Sequence, residues 1–327
     1  MTVDRSSAES ELAKERGFTG DGVEVDRDIP RISMADFDAR FDEIADALWS
    51  AAADVGFFQL TDHGIPAAEI DQAFAMAERF FALDPEVKAR RPLRPGTNSG
   101  WEFKEQVRPS TGTTDQKESF QITIPRMEEL DLWPTDDELT GFVDVMANFE
   151  RANWLLAMRV LSCLADRLGF DRDFFAERHD PTSPHYQSTL RMLHYFPVAE
   201  ADQSLWRAGA HTDYDCLTLL HQVPGQHGLQ VCPGAEAERF AWTSVPPDPG
   251  VVTCNIGDML MRWSDDRLQS TLHRVRMPSD GEYAGPRYSL AFFAQADRDA
   301  VIQGPEGVYP PIAASDYLHQ RITANAL

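Results

Sequence analysis

From Ser188 onward the chain breaks into short apolar runs separated by turn residues, and no other feature constrains its fold as tightly. The runs are LRMLHYF, CLTLLHQV, GLQVC, VVTCNI, MLMRW, STLHRV and YSLAFFA. Short strands at roughly 8–12-residue spacing with turn signals between them argue for an antiparallel sandwich or barrel. The first half has a different period. Phe37, Phe41, Ile44 and Leu48 recur on one helical stripe from Ser33 onward, and Gly56 stops it. Phe57-Phe58-Gln59-Leu60 then reads as a short buried strand, closed by the turn Asp62-His63-Gly64. Pro66 suits the first turn of a second helix whose apolar face carries Ile70, Phe74, Ala77 and Phe81. Residues 91–115 read as a long irregular loop, a feature that is usually functional in a compact domain. A long helix is expected from about Asp136 to Leu168, with Gly169 as its stop.

The resulting expectation is an α+β chain in three parts. Residues 1–27 are polar and acidic and read as a flexible lead-in, 28–185 as a helical region, and 186–327 as an all-β core on which the helices pack. There is no internal repeat.

Charge narrows the function. The formal net charge is −23, and a surface this acidic repels phosphate backbones and anionic lipid, so neither nucleic acid nor a membrane is an expected partner. No run of roughly 18 apolar residues exists to span a bilayer. The start, MTVDRSSAESELAKERG, lacks the apolar stretch of a secretory signal, which points to a cytoplasmic protein. The four cysteines (Cys163, Cys216, Cys232, Cys254) show no C-x-x-C spacing, so neither a disulfide framework nor a thiolate zinc site is indicated. No obligate protein partner is indicated.

The chemistry concentrates in two places. His211-Thr212-Asp213 heads a strand-like run, where positions i and i+2 face the same side. An imidazole and a carboxylate on one face make half of a chelate. His273, in STLHRV, would complete a 2-His-1-carboxylate triad, which leaves three positions of an octahedral Fe(II) open. Spacing alone leaves both histidines open between metal ligands and core or surface residues. Arg287 and Ser289 share a face of another strand-like run, and a guanidinium fork with a hydroxyl suits a small carboxylate. A native Asp or Glu is the other partner such an arginine could have.

Taken in order, these segments resemble one family over nearly the whole chain: the isopenicillin-N-synthase-like Fe(II)/2-oxoglutarate-dependent dioxygenases. The N-terminal matches are Ile29-Pro30 and the stretch from Gly56 to Pro66. The core matches are HTDYDCLTLL from His211, Gly228-Leu229-Gln230-Val231, Asn255-Ile256-Gly257-Asp258 with Trp263, the run from Ser270 to Val275, Arg287-Tyr288-Ser289, and Tyr309-Pro310-Pro311. The resemblance implies a double-stranded β-helix (jelly-roll) core with a C-terminal helix. It implies that His211, Asp213 and His273 hold iron, and that Arg287 and Ser289 bind the distal carboxylate of 2-oxoglutarate. Tyr195 matches a tyrosine beside the co-substrate. The implied reaction uses Fe(II), 2-oxoglutarate and O2. It couples decarboxylation of the keto acid to hydroxylation, desaturation or ring closure of a small organic substrate, such as a natural-product or amino-acid-derived acid.

Two alternatives share the fold: an Fe(II)/O2 oxidase that does not use 2-oxoglutarate, and a non-catalytic small-acid-binding protein. For the substrate, Trp101 in the 91–115 loop, the segment Lys117-Glu118-Ser119-Phe120, Arg191, Tyr214 and Phe292 are candidate pocket residues, each with packing as the competing role. An inward-pointing Arg191 would favour an acidic substrate. It could also hold the metal-proximal carboxylate of 2-oxoglutarate, or pair with hydroxyls and a carboxylate of the chain itself. His194 falls on the opposite strand face and His63 in a turn, both expected to be structural. PSDGEYAG, between His273 and Arg287, reads as a lengthened hairpin.

Overall fold

A computed structural model of the chain describes residues 22–107, 110–202, 205–233 and 240–325. In chain order, β1 (Val23–Glu24) and β2 (Arg31–Ser33) precede α1 (Phe41–Asp54), β3 (Phe57–Thr61), α2 (Ala67–Phe81) and α3 (Pro85–Lys88). Then come β4 (Gly100–Phe103), β5 (Lys117–Ile122), α4 (Ile124–Glu129) and the long α5 (Phe142–Leu168). The C-terminal half holds β6 (Thr189–Tyr195), β7 (Ala208–His211), β8 (Leu217–Gln222), β9 (Leu229–Cys232), β10 (Ala241–Ser244) and β11 (Val252–Ile256). It continues with α6 (Asp258–Trp263), β12 (Leu272–Val275), β13 (Arg287–Ala294), β14 (Val301–Ile302), β15 (Ile312–Ala313) and α7 (Ala314–Asn325).

Two sheets form the jelly-roll core. One has five strands in the order β1-β10-β9-β12-β7, the other eight in the order β2-β3-β11-β8-β13-β6-β5-β4. The eight-stranded sheet has two unlike faces, as strand alternation requires. Leu190, Met192, Leu290, Phe292 and Ala294 point to the helical side and join one apolar core with Phe149, Leu156, Val160 and Leu164 of α5. Arg191, Leu193, Tyr195, Arg287, Ser289, Ala291 and Phe293 point to the other side, into a cavity whose far wall carries Ala208, His211, Leu229, His273 and Val275 of the five-stranded sheet. The helices thus brace one face of the large sheet while the space between the sheets stays open.

Several expectations change in detail. The first helix begins at Phe41 rather than near Ser33, because Asp36 adopts a left-handed φ of 52° and caps a separate turn. The long helix begins at Phe142 because Gly141 is left-handed at φ 74°; Gly169, also left-handed, ends it as expected. Within the expected 91–115 loop, β4 pairs antiparallel with β5, so Lys117–Ile122 is a buried strand. MLMRW is helical, within α6. All six residues of that helix are buried, and a short apolar run carries no period that separates helix from strand. PSDGEYAG is not a hairpin: β12 and β13 lie in different sheets, and the segment crosses between them with Arg276 gripping Glu282 through two 2.7 Å bonds. Of the expected lead-in, residues 1–21 lie outside the described residues, while Val23–Glu24 form β1 and pair in parallel with β10.

All four cysteines are free and buried, among the described residues. No described helix is long and apolar enough to cross a membrane.

Candidate active site

Strand register sets the first half of the site. His211 at the end of β7 and His273 in β12 are direct cross-strand partners, with ring centroids 4.3 Å apart. Asp213 lies just past the end of β7, so the chain turning out of the strand, rather than strand alternation, brings its carboxylate back beside His211. Asp213 Oδ1 is 3.9 Å from His211 Nε2 and 3.6 Å from His273 Nε2. One ligand atom from each of the three residues falls within 4.8 Å of the others, a spacing that suits a single metal ion.

The surroundings orient each group. His211 Nδ1 donates to the Gly209 carbonyl at 2.8 Å and His273 Nδ1 to the Thr271 carbonyl at 3.2 Å. That assignment leaves both Nε2 lone pairs facing the triad. Asp213 Oδ2 accepts from Thr218 Oγ1 at 2.7 Å and from Asn255 Nδ2 at 2.8 Å, so the carboxylate turns Oδ1 toward the histidines.

The second half is an anion cradle on β13. Arg287 and Ser289 are each 1% exposed. Arg287 Nη2 donates to Gln222 Oε1 at 3.0 Å and Nε to the Gln226 carbonyl at 3.2 Å, which pins the guanidinium plane. Its Nη1 and the Ser289 hydroxyl have no partner among the described residues. Both residues line the cavity. Burial pushes the Arg287 guanidinium down, opposed by Tyr195, whose ring lies 4.7 Å from the guanidinium carbon. Arg207 adds to this strain: burial and then the charge of Arg287 push it down to about 10. Two buried donors without acceptors cost free energy until an anion fills the gap.

Comparison with known proteins then decides the lineage. Residues 186–296 match the 2OG-Fe(II) oxygenase superfamily. Residues 29–136 match the N-terminal region of non-haem dioxygenases described from morphine synthesis. The proline hydroxylase buaE of Petromyces alliaceus is 30% identical over 84% of this chain and 90% of its own length. The 2-oxoglutarate-Fe(II) type oxidoreductase hxnY of Emericella nidulans is 33% identical over 80% and 78%. The chain belongs to the 2OG-Fe(II) oxygenase superfamily. A full-length Neurospora crassa oxygenase solved with alpha-KG has the same fold at 29% identity and a TM-score of 0.79, covering 93% of this chain and 99% of that one. The same protein has also been solved with alpha-KG and thymine, and matches at a TM-score of 0.78. This oxygenase is a 2-oxoglutarate-dependent dioxygenase, an oxidoreductase that uses Fe(II) and oxidises a small organic substrate.

The remaining candidate residues divide by strand face. A cavity of about 530 Å³ runs from the triad and the Arg287 cradle outward, and Arg191 and Tyr214 line it. Trp101 and Phe292 do not. Phe292 is fully buried on the helical side, and Trp101 donates its indole N–H to Glu118 at 2.7 Å on that same side. Phe293, one position on, is the β13 aromatic that lines the cavity. Parity with Arg287 and Ser289 already marked it in the sequence. Of Lys117-Glu118-Ser119-Phe120, Lys117 lines the cavity. Glu118 instead binds Lys88, Trp101 and His194 behind the sheet, which makes His194 structural. His63 caps its own turn, accepting from the Ile65 N–H at 3.2 Å.

Sequence reasoning missed Glu102, Thr218, Asn255 and the C-terminal helix, whose Leu318 and Ile322 border the cavity. Only Asn255 carried a signal, in the Asn-Ile-Gly-Asp match.

Proposed function

We propose that His211, Asp213 and His273 hold Fe(II), and that Arg287 and Ser289, beside Tyr195, bind the distal carboxylate of 2-oxoglutarate in this dioxygenase. The observation that carries the reading is the pairing, in one cavity, of a compact His-Asp-His cluster with two buried, unpartnered donors. A five-carbon keto diacid has one end to chelate a metal and one to satisfy those donors, so the donor set fits it. When bound, iron, 2-oxoglutarate and O2 supply the oxidising chemistry, in which decarboxylation of the keto acid accompanies oxidation of a substrate C–H bond.

The chain's own residues do the rest. Backbone carbonyls hold the two imidazoles in the ligating tautomer, and Thr218 with Asn255 holds Asp213. Leu193, Leu220, Leu229, Val275 and Ala291 give the inner cavity apolar walls that exclude water from the reacting centre. We assign the chemistry to residues 186–327 and substrate admission to the 28–185 region, whose Leu93, Asn98, Glu102 and Lys117 line the outer cavity.

The substrate reading is a small polar molecule. A relative named as a proline hydroxylase and a neighbour solved with thymine support that size and polarity.

Purified protein should bind one iron per chain and convert 2-oxoglutarate to succinate only with Fe(II) and O2. Succinate release independent of added 2-oxoglutarate binding at Arg287, read as an unchanged KM in Arg287 variants, would overturn the assignment.

A further inference from the structure

The outer half of the cavity carries a prebuilt ion pair. Arg191 on β6 and Glu102 on β4 both line it, joined through Arg191 Nη2 and Glu102 Oε1. Ser119 Oγ lies between them, donating to Glu102 Oε1 at 2.6 Å and accepting from Arg191 Nε at 3.1 Å. Burial alone would push the Glu102 carboxyl up, but Arg191, Lys117 and Ser119 hold it below its ordinary range, so it is ionised. Each partner keeps one group in reserve. Arg191 Nη1 and Glu102 Oε2 make no hydrogen bond with any described residue.

Resting on the site reading above, we propose that the Glu102–Arg191 pair is the substrate-recognising edge of this dioxygenase. It selects a net-neutral molecule that presents a hydrogen-bond acceptor beside an N–H donor. Arg191 Nη1 would donate to the acceptor, and Glu102 Oε2 would accept from the N–H.

Charge balance excludes the simpler alternatives. An anionic substrate would have to displace Glu102 from Arg191 and leave a carboxylate unpaired in a buried wall. A cation would strand Arg191 in the same way. The neighbouring lysine offers an anion no better foothold, since Lys117 Nζ is engaged by Asp115 at 2.5 Å and Gln106 at 2.6 Å. Asn98, Gln121 and Gln295 on the same wall are amides, which donate and accept without adding charge. A lactam, an imide and a zwitterionic amino acid share the required chemistry. An apolar molecule has nothing to offer the two reserved groups, which would then lose water without compensation.

Five probes separate these classes: 2-pyrrolidone, uracil and proline against benzoate and benzyl alcohol. With Mn(II) and 2-oxoglutarate present, at least one of the first three should raise the Tm. With Fe(II) under air the same compound should stimulate succinate release at least tenfold over the substrate-free rate, while the last two do neither. Glu102→Gln should raise the KM of the responding compound roughly tenfold, the value of one charge-assisted hydrogen bond, while the KM for 2-oxoglutarate stays within twofold. The double variant Glu102→Gln with Arg191→Gln keeps an uncharged donor–acceptor edge and should recover part of the loss. It also covers the case in which the single variant folds poorly.

A response led by benzoate or benzyl alcohol overturns the proposal. So does a silent panel in protein whose Tm still rises with 2-oxoglutarate, or an unchanged substrate KM in both variants. A 2-oxoglutarate KM that climbs with Glu102→Gln would reassign Arg191 to the co-substrate. Loss of the Tm response to 2-oxoglutarate in the wild type would overturn the site reading and this inference together.

Discussion

Arg321 of the C-terminal helix and Asp258 at the start of α6 form an ion pair at 2.6 Å, with neither side chain exposed to any extent. The pair touches the proposed metal loop directly. Thr212, between His211 and Asp213, donates to Asp258 Oδ2 at 3.1 Å, and Arg321 Nη2 reaches Thr212 Oγ1 at 3.2 Å. The Asp258 N–H donates to the Asp213 carbonyl at 2.8 Å, and Ser270 Oγ donates to Asp258 Oδ1 at 2.5 Å. One arginine near the chain's end therefore fastens α7 to the backbone that carries two of the three ligands.

Removing that arginine leaves a buried carboxylate without its cation. Arg321→Met should cost about 3–5 kcal/mol of stability in urea unfolding. The double variant Arg321→Met with Asp258→Asn should be more stable than the single one, because no charge is then stranded. A double variant as unstable as the single would show that lost packing, not charge, dominates.

Asp213 gives the sharpest test of the metal assignment. His211→Ala and Asp213→Ala should abolish turnover at saturating iron, since two ligands cannot fix the geometry. Asn255→Ala removes a hydrogen bond that aims the carboxylate without removing a ligand. Its iron affinity should fall roughly ten- to a hundredfold, with turnover recovered at high Fe(II). Iron titration followed by succinate release separates the two behaviours.

At the anion cradle, Arg287→Lys keeps the charge and loses the planar fork that Gln222 and the Gln226 carbonyl hold in place. One lost charge-assisted hydrogen bond, about 1.5–3 kcal/mol, corresponds to a roughly ten- to hundredfold higher KM for 2-oxoglutarate. The KM for the oxidised substrate should change far less.

Far from the site, Glu150 on α5 is buried beside Tyr186, which donates to it. Burial pushes its carboxyl up to about 7, with the Tyr186 bond opposing. A carboxyl raised above its unfolded value stabilises the fold fully below about 4.5, and that contribution is lost as pH rises through about 7. Glu150→Gln keeps the shape and cannot ionise. It should match the wild type near pH 4 and exceed it by about 3 kcal/mol above pH 8. Equal pH profiles for the two proteins would mean that Glu150 ionises normally.

What the sequence determined by itself was everything that depends on local period or on ordered motifs. Alternation along LRMLHYF and RYSLAFFA placed Arg191 and Tyr195 on one face and Arg287 and Ser289 on another, and both faces line the cavity. The apolar stripes marked α1, α2 and α5, and the left-handed glycine after Leu168 marked a helix end. The His-Thr-Asp triplet with a later histidine marked the metal cluster.

Tertiary structure alone decided what pairs with what across large sequence separations. That Glu102 neutralises Arg191, that Arg321 meets Asp258, and that PSDGEYAG crosses between sheets all follow from strand order and register, which no local pattern encodes. Burial on all sides also erased the period in MLMRW, so only the packing of α6 beneath the metal loop could make it a helix. An arginine in a strand says that an anion must be near. For Arg191 the fold supplied one in Glu102, and for Arg287 it left two donors open.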